Sequence, residues 1–421
     1  MNVIATASGC AADGMPFDAA VTRVLNLVPR TLSIEDVPLS GCAGRVVAKS
    51  LSARVDLPGF DQSAMDGYAV RHAGIAPGAW VPMSGRTAAG DAPGHLDPGR
   101  AHRILTGAPL PYGADTVVAQ ESVHCGDGFL RIPVVPPEGA NVRRRGDDIG
   151  VGQTLIAEGT SLDWRHIAMM AAQGMPSVPV RRRPRVTLLS SGRELRKSGE
   201  SLAPGQIHDS NLPMLAALLH AGGAIVRSVS LVPDDPGAMR SALQRAALNA
   251  DLVVTTAGIS VGDEDHVREA LRHLGGDLAV LKVAMKPGKP LAAGRLGDAV
   301  FIGLPGNPQA ALAGAIAFVR PLLARMAGTE SPAPLRTLAG FDMRHKPGRA
   351  EFIPVRIYER DACLWAERAG LDGSGRLAPL LAATGLAFIP AHDGDVERGN
   401  TVDVISFMPG TIDSLPAMCT N

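Results

Sequence analysis

The feature that most constrains the fold is a regular alternation of strand-like and helix-like segments between residues 185 and 328. Short apolar runs predict strands, and the segments that follow them carry apolar residues at helical spacing. The predicted strands are 186–189, 225–232, 252–255, 279–285 and 299–304, and the predicted helices are 212–220, 237–248, 265–274 and 307–326, the last kinked at Pro321. This alternation predicts a doubly wound, parallel α/β sheet.

Capping residues support the predicted helix ends. Asp235-Pro236 and Asn307-Pro308 each place an N-cap residue before a proline at the first helical position. Gly222-Gly223 and Gly275-Gly276 suit helix C-termini. The helix boundaries therefore rest on turn chemistry as well as on hydrophobic spacing.

The remaining residues predict further domains, because 421 residues exceed one ordinary hydrophobic core. The pattern includes helices at 17–28 and 164–170 and short strands at 37–47, 116–119, 130–135, 352–358, 387–390 and 401–406. We expect a disordered tail (1–14), a discontinuous helix-and-strand linker domain (15–49 and 151–183), an inserted mostly β domain (50–150), the α/β domain (184–330) and a C-terminal β-barrel-like domain (331–421).

Charge and cysteine usage narrow the function classes. The 41 basic and 41 acidic residues cancel, which argues against nucleic-acid and anionic-membrane partners. The five cysteines form no C-x-x-C pair, as expected of reduced cytosolic thiols. The longest apolar segment, 310–319, is predicted to be too short to span a bilayer, and residues 1–10 lack a basic leader. We expect a soluble, cytoplasmic protein.

Four unusual loops follow predicted strands. They are Ser190-Ser191-Gly192-Arg193-Glu194-Leu195, the segment 255–265 with Gly258, Ser260 and Asp265, Lys286-Pro287-Gly288-Lys289-Pro290, and Leu304-Pro305-Gly306-Asn307-Pro308. Ligands bind beyond the carboxyl ends of strands in such sheets, where backbone N–H groups and lysines hold anions. Turn chemistry with solvated lysines explains any one loop equally well, but four loops at one edge favour a rigid oxyanion site.

Acidic residues near these loops suggest a metal. Glu194 and Asp265 are candidates for binding a hard cation such as Mg²⁺ or for activating water. Asp234 and Asp235 immediately precede a helix, which favours capping instead.

The predicted β domain carries its own polar segments. Asp61, Asp66 and Asp148 are acidic candidates there. The run Arg143-Arg144-Arg145-Gly146 is either a solvated face or a loop presented to an anionic ligand.

Five motifs together resemble the molybdopterin molybdenumtransferase family, which includes bacterial MoeA and the E domain of gephyrin. In chain order they are Pro58-Gly59-Phe60-Asp61-x-Ser63-Ala64-Met65-Asp66-Gly67-Tyr68-Ala69, Thr106-Gly107-Ala108-Pro109, Arg143-Arg144-Arg145-Gly146-x-Asp148, Lys286-Pro287-Gly288-Lys289-Pro290 and Leu304-Pro305-Gly306-Asn307-Pro308. The resemblance covers essentially all of residues 16–408.

This resemblance implies an enzyme that inserts molybdate into adenylylated molybdopterin with release of AMP, using Mg²⁺ or a similar cation. It implies an elongated homodimer with sites shared between subunits, and we further expect a contact with the adenylyltransferase of the same pathway. The implied catalytic residues are Glu194, Asp265, Asp61, Asp148 and Thr106, and the implied metal ligands are Glu194, Asp235 and Asp265. The substrate-binding set comprises Lys286, Lys289, Pro290, Ser260, Gly258, Pro305, Gly306, Asn307, Arg349 and Ser374.

The chain departs from the family pattern at four positions near this site. Arg193 stands where relatives typically have Asp, His208 and His266 each replace Tyr, and Ala257 replaces Gly. Arg193 changes the local charge by two units, which either weakens metal binding or adds a phosphate contact.

Two other functions are compatible with the sequence. The molybdopterin adenylyltransferase resembles the central segment alone, but it usually has Thr-Gly-Gly-Thr-Gly where this chain has Ala257-Gly258-Ile259-Ser260. The second is a diverged, non-catalytic paralogue that binds cofactor or scaffolds a partner protein.

Overall fold

The structure, a computed structural model, describes residues 14–29, 31–258, 266–371 and 373–407. These residues form two compact units. The smaller unit comprises Val37–Ala43 and Lys49–Val178, and the larger unit comprises the remaining described residues. The chain passes between them within the strands Ile34–Pro38 and Ser177–Arg181, and also on either side of the segment Gly44–Ala48. The finer division into four domains stays a prediction.

In the described residues of the larger unit, six strands form a central sheet. They are β1 (Arg185–Ser191), β2 (Ile225–Val232), β3 (Leu252–Thr256), β4 (Asp277–Lys282), β5 (Pro290–Leu296) and β6 (Ala299–Leu304), in the order β2-β1-β3-β6-β5-β4. The neighbours β2, β1, β3 and β6 run parallel, which confirms the predicted α/β sheet.

Strand β5 is the exception, because it runs antiparallel to both β4 and β6. Its residues Pro-Leu-Ala-Ala-Gly-Arg-Leu include proline, glycine and alanines, which have weak strand propensity, so the sequence did not predict it. The loop over 286–290 consequently leads into a strand and not into a helix.

Helices cover both faces of the sheet. They are α1 (Phe17–Leu25), α2 (Asn211–Ala221), α3 (Pro236–Ala247), α4 (His266–His273) and α5 (Pro308–Ala327). Successive residues of a strand point to opposite faces. Val254 and Ile302 accordingly pack with α1, α2 and α5, whereas Val253 and Phe301 pack with α3 and α4. This two-sided burial accounts for the nearly continuous apolar sequence of these strands.

Helix α5 is irregular before its proline. It passes from an α-helix into a π turn at Ala315–Val319 and returns to an α-helix at Arg320–Ala327. Pro321 has no N–H to donate and its ring crowds the preceding turn, so the wider turn accommodates it. The irregularity predicted at Pro321 therefore appears as a π turn.

The prediction that the apolar segment at 310–319 is too short to span a bilayer is wrong. Helix α5 has 20 residues and is long and apolar enough to cross a membrane by length and composition alone. However, 72% of this apolar stretch is buried within the protein, and Phe318 and Leu322 lie in the core. Burial against the sheet explains the apolar composition of this helix.

The described C-terminal residues form a closed five-stranded barrel, as predicted. Its strands are β7 (Leu335–Ala339), β8 (Ala350–Arg360), β9 (Cys363–Arg368), β10 (Gly385–Ile389) and β11 (Thr401–Ser406), with pairings β8-β9-β7-β11-β10 closed by β10–β8. A short helix, Ala378–Ala382, precedes β10. The two-residue strand Met285–Lys286 adds to β8 in parallel register.

Helix α1 joins the barrel to the sheet through one aromatic cluster. The ring of Phe17 lies 5.7 Å from that of Phe318, 5.5 Å from that of Phe352 and 5.4 Å from that of Phe388. Such tilted ring pairs stabilise a contact beyond area burial alone. The α/β sheet and one side of the barrel therefore share a core, and the barrel interior forms a separate cluster.

The smaller unit is mostly β, as predicted. In its described residues one sheet has the order Thr116–Ala119, Gly67–Val70, Ala101–Ile104, Trp80–Thr87, Phe129–Arg131 and His124–Gly126. Short ladders pair Gln62–Ser63 with Val142–Arg143 and Leu51–Ser52 with Thr154–Ile156, and one helix spans Trp164–Ala172.

Three predicted strands have clearly different bounds. The strand placed at 279–285 is wrong, since the chain forms Asp277–Lys282 in the central sheet and, separately, Met285–Lys286 against the barrel. The strand placed at 37–47 is wrong, since the strand is Ile34–Pro38 and a 3₁₀ turn at Leu39–Gly41 follows Pro38. The strand placed at 130–135 is Phe129–Arg131, because Pro133 cannot donate to a ladder.

Candidate functional site

The loops after β1, β3 and β6 lie side by side at one edge of the sheet. Ser190 pairs with Thr256, and Thr256 pairs with Leu304, so these three strands end together. The chain runs from β1 to β2 on one side and then crosses to β3 on the other. The gap between β1 and β3 is therefore the switch point at which such sheets bind ligands. Ser260 and Asp265 lie outside the described residues.

The loop Pro305–Asn307 is held rigidly from the sheet side. Asn211 donates its side-chain amide to the carbonyl of Gly306 at 2.6 Å and to Thr256 Oγ1 at 2.9 Å. Thr256 in turn donates to the carbonyl of Pro305 at 3.0 Å. The carboxylate of Asp209 accepts from Asn211 N at 2.9 Å and fixes the start of α2. These buried groups position the loop without a ligand.

The other side of this loop contacts the C-terminal region. Asn307 Nδ2 donates to Ser374 Oγ at 2.9 Å, and Gln309 N donates to the carbonyl of Ser374 at 3.0 Å. The Asn307 side chain makes no capping bond to α5, although Asn307-Pro308 does begin this helix as predicted. Ser374 and Asn307 thus meet at the N-terminus of α5, where the helix dipole favours an anion.

The loop with two lysines is anchored at both ends. Lys282 pairs with Pro290 in the sheet, and Lys286 pairs with Glu351 in the barrel. Between them Gly288 has a φ of 111°, and a Cβ there would lie 3.3 Å from Met285 Cε. Only glycine adopts this conformation readily, which explains its place between the lysines.

The lysine loop, the loop around Pro305 and Asn307, and the C-terminal region line a cleft of about 790 Å³. The loops after β1 and β3, including Gly258, are not part of its described lining, and neither is Gly306. Seven of the predicted site residues line it, namely Lys286, Lys289, Pro290, Pro305, Asn307, Arg349 and Ser374. Six basic residues contribute to its described lining, Lys286, Lys289, Arg344, Lys346, Arg349 and Arg368, against two acids, Asp342 and Glu351. Excess positive charge in a chain with no net charge marks a place for an anionic ligand.

A buried carboxylate lies at the centre of the basic wall. The side chain of Glu351 is only 5% exposed, and its oxygens lie 3.1 Å from Lys286 Nζ, 3.2 Å from Arg349 Nη2 and 3.6 Å from His345 Nδ1. Five residues here were not predicted from the sequence: Glu351, His345, Arg344, Lys346 and Arg368. The run His345-Lys346-Pro347-Gly348-Arg349 was a usable signal, because it concentrates cations before a strand.

Some of the acidic residues at the switch point already form hydrogen bonds or ion pairs within the protein. Asp235 accepts from Ala238 N at 2.7 Å, so the predicted capping of α3 is confirmed. Asp234 is no cap, contrary to expectation, and instead lies 3.5 Å from Arg193 Nε and 3.8 Å from His266 Nε2. Glu194 lies close over Gly192. In the described ranges, no three His, Cys, Asp or Glu residues form a metal-binding group.

Two positions at which the chain departs from the family motifs therefore meet at one carboxylate. Arg193 and His266 flank Asp234, while His208 Nε2 contacts the carbonyl of Glu200 at 2.8 Å. The fourth departure, Ala257, precedes Gly258 and has a φ of 68°. A Cβ on Gly258 would lie 2.8 Å from Val267 Cγ2 and one on Gly306 would lie 3.3 Å from Ala257, so these residues pack closely.

Replacing Ala257 by glycine is expected to stabilise the larger unit by about 1 kcal/mol. Ala257 adopts the left-handed region, which is unfavourable for residues with a Cβ. Part of the gain is offset by the greater freedom of glycine in the unfolded chain. Calorimetry measures the change, and Ala224→Gly is the matched control. It alters a buried alanine without positive φ and should therefore lower the melting temperature. A decrease for Ala257→Gly would contradict this prediction.

The predicted residues of the smaller unit form two hydrogen-bonded groups. Asp61 accepts from Arg144 Nη1 at 2.7 Å and from Arg145 N at 2.9 Å. Burial raises the pKa of Asp61, but these hydrogen bonds outweigh it and leave the pKa below its ordinary value. Asp66 accepts from the N–H and the hydroxyl of Thr106, both at 2.8 Å, and these bonds lower its pKa. Asp148 is exposed.

Comparison with known proteins covers nearly the whole chain. Residues 15–174 match the model of the MoeA N-terminal region (domain I and II), 188–325 match a probable molybdopterin binding domain, and 336–407 match the MoeA C-terminal region (domain IV). A molybdopterin molybdenumtransferase from Nostoc is 35% identical over 91% of this chain and 91% of its own length. One from Haemophilus influenzae is 32% identical over 93% and 98%, respectively.

A solved structure agrees with this. The crystal structure of the molybdopterin biosynthesis moeA protein from Pyrococcus horikoshii has a TM-score of 0.81 and 27% identity, and the alignment covers 93% of this chain and 99% of that one.

Proposed function

We propose that this chain, which belongs to the molybdopterin molybdenumtransferase family and is an enzyme of molybdenum cofactor biosynthesis, inserts molybdate into adenylylated molybdopterin and releases AMP. One observation carries the proposal: six basic residues of a neutral chain border one cleft. Molybdate, the pterin phosphate and AMP are all anions, so such a wall suits them.

The cleft residues divide by chemistry. Lys286, Lys289 and Arg349 would bind molybdate and phosphate oxygens, with Pro290 beside them. Asn307 and Ser374 would donate hydrogen bonds from the N-terminus of α5. Backbone groups of Gly258, Ser260, Pro305 and Gly306 would contact the pterin at the sheet edge. Cleaving a phosphoanhydride requires charge neutralisation more than a strong nucleophile, which fits this set.

The proposal extends to Asp61, Thr106 and Asp148 of the smaller unit. They would act at the same substrate in a cytoplasmic homodimer whose subunits share the site, and the enzyme would contact the adenylyltransferase that supplies its substrate. Support comes from the family motifs and from the preorganised pair Thr106–Asp66. The Thr106 hydroxyl donates to Asp66, so its lone pairs can accept from a ligand.

A divalent cation such as Mg²⁺, with Glu194, Asp235 and Asp265 as ligands, also belongs to the proposal. The described residues fit it only incompletely, because Asp235 already caps α3 and the described part of the chain holds no three-ligand group. We therefore derive no step of the reaction from a bound cation.

Replacing Arg193 by aspartate is expected to tighten Mg²⁺ binding by about fivefold. The guanidinium lies 3.5 Å from Asp234 and opposes a nearby cation, and an exposed charge several ångströms away changes binding by roughly 1 kcal/mol. Titration calorimetry measures the affinity directly. Lys197→Asp is the control, because it makes the same change of charge at a nearby exposed position. Weaker Mg²⁺ binding by the Arg193 variant would show that Arg193 does not oppose the cation.

A reconstituted assay tests the reaction itself. The protein is incubated with adenylylated molybdopterin, and AMP is measured before and after molybdate is added. We expect AMP release to depend on molybdate. An adenylyltransferase would instead form the adenylyl bond from ATP and molybdopterin, and a scaffold would leave it intact. The matches to the flanking regions favour the first outcome, since both lie outside the central segment.

A further inference from the structure

We propose that Glu351 is a positioning residue that holds Lys286 and Arg349 in the geometry required for molybdate insertion. This inference rests on the proposed function, because it assigns these two cations to the anionic substrates. It adds a residue whose role is exerted through its two basic neighbours.

The geometry points to an organising role. Glu351 Oε2 lies 3.1 Å from Lys286 Nζ, while Oε1 lies 3.2 Å from Arg349 Nη2 and accepts from Arg349 Nε at 3.2 Å. The carboxylate thus engages one cation with each oxygen. Arginine presents its donors in a fixed fork, so a contact through both Nε and Nη2 sets the guanidinium plane.

Burial separates the carboxylate from its partners. The side chain of Glu351 is 5% exposed, whereas those of Lys286 and Arg349 are 53% and 44% exposed. All three residues line the cleft, but the two cations keep about half of their surface exposed while the carboxylate between them is almost fully covered. A buried charge persists only when it is paired, so Glu351 is committed to these partners.

The backbone brings the partners together from different parts of the chain. Met285 pairs with Ala350 and Lys286 with Glu351, and Ala350 N donates to the carbonyl of Ala284 at 2.9 Å. Lys286 arrives from the loop after β4, whereas Arg349 immediately precedes β8. Glu351 is consequently the point at which the loop lysine and the barrel arginine are aligned with each other.

Attraction of anions does not explain why an acidic residue lies among the basic residues of the cleft. A carboxylate within a basic wall weakens the attraction for anions, so a site selected only for affinity would exclude it. A positioning role predicts that removal of the Glu351 charge changes the reaction rate and the anion affinity in opposite directions. Removing the charge should leave anion binding intact or tighter and should slow the reaction, because misplaced groups lose rate.

The decisive variant is Glu351→Gln, which keeps the side-chain shape and removes the charge. We expect kcat for molybdate-dependent AMP release to fall by roughly 10- to 100-fold. The dissociation constants of molybdate and of AMP, measured by calorimetry, should stay equal or decrease. Glu367→Gln is the matched control, because it removes the acid of another carboxylate–arginine pair in the barrel, 3.1 Å from Arg356 and outside the cleft lining.

Further measurements distinguish a loss of positioning from a folding defect. Circular dichroism and the melting temperature establish that Glu351→Gln is folded, and Glu351→Asp, which retains the charge on a shorter side chain, should recover part of kcat. In a background of Lys286→Ala with Arg349→Ala, the additional effect of Glu351→Gln on residual activity should fall below about twofold.

The outcomes are distinct. If the wild-type protein releases no AMP with molybdate, the proposed function fails. If the wild-type protein is active and Glu351→Gln retains kcat within about twofold, or weakens anion binding with kcat unchanged, the positioning role is wrong. If Glu351→Gln lowers kcat by the same factor in the double-alanine background as in the wild type, Glu351 does not act through Lys286 and Arg349 and its role is structural only.

Discussion

Replacing Lys289 by alanine is expected to lower molybdate-dependent AMP release by at least about 100-fold. The residue is exposed in the cleft lining and adds positive charge where we propose that anionic substrates bind. Removing one fixed electrostatic group from such a site typically lowers the rate by two to three orders of magnitude. Measurement of kcat and KM for molybdate separates a loss of binding from a loss of chemistry.

The fold should tolerate this substitution. Replacement of an exposed loop side chain generally changes the free energy of unfolding by less than about 0.5 kcal/mol. The backbone bond from Val283 N to the carbonyl of Lys289, at 3.0 Å, does not require the side chain. Lys49→Ala, an exposed lysine of the smaller unit, serves as the matched control and should retain full activity. Wild-type kinetics in Lys289→Ala would place the reaction elsewhere.

Replacing Gly294 by alanine is expected to destabilise the larger unit by about 3 to 5 kcal/mol. A Cβ at this position would lie 1.9 Å from the carbonyl oxygen of Asp277 and 2.9 Å from the Cα of Leu278. Both atoms belong to the backbone of β4, which pairs with β5 at this residue, so no side chain can move aside. The strands must separate, which puts the change among the largest single-residue effects.

Calorimetry and limited proteolysis measure this destabilisation. Gly394→Ala is the matched control, because a Cβ there meets nothing within 4 Å. The control should have the melting temperature of the wild type, whereas Gly294→Ala should make β4 and β5 accessible to protease at a lower temperature. A melting temperature equal to that of the control would contradict the observed strand spacing.

The α/β sheet was predictable because burial on both faces leaves a clear sequence pattern. Apolar runs mark β1, β3 and β6, and Asp235-Pro236 marks the start of α3. Strand β5 was not predictable, because its proline, glycine and alanines resemble a turn as much as a strand. Its position depends on a hairpin with β6 that only the folded chain defines.

The cleft shows the same limit. The proline-glycine loops were visible in the sequence since glycine and proline restrict the backbone locally. Glu351 was not, because a single acid in a strand looks the same whether it is solvated or buried among cations. Arg349 lies only two residues before it, but Lys286 comes from the loop after β4, far away in the sequence. Long-range pairing of this kind carries no local signal.

The short pairing of Met285–Lys286 with strand β8 has a thermodynamic consequence. The lysine loop connects two strands of the sheet, but its residues Met285 and Lys286 are hydrogen-bonded to the barrel. The basic wall is therefore complete only when the barrel is packed against the sheet. An anion that binds only the complete wall stabilises that docked state by its own binding free energy. Substrate occupancy and attachment of the barrel are therefore linked equilibria, and each strengthens the other.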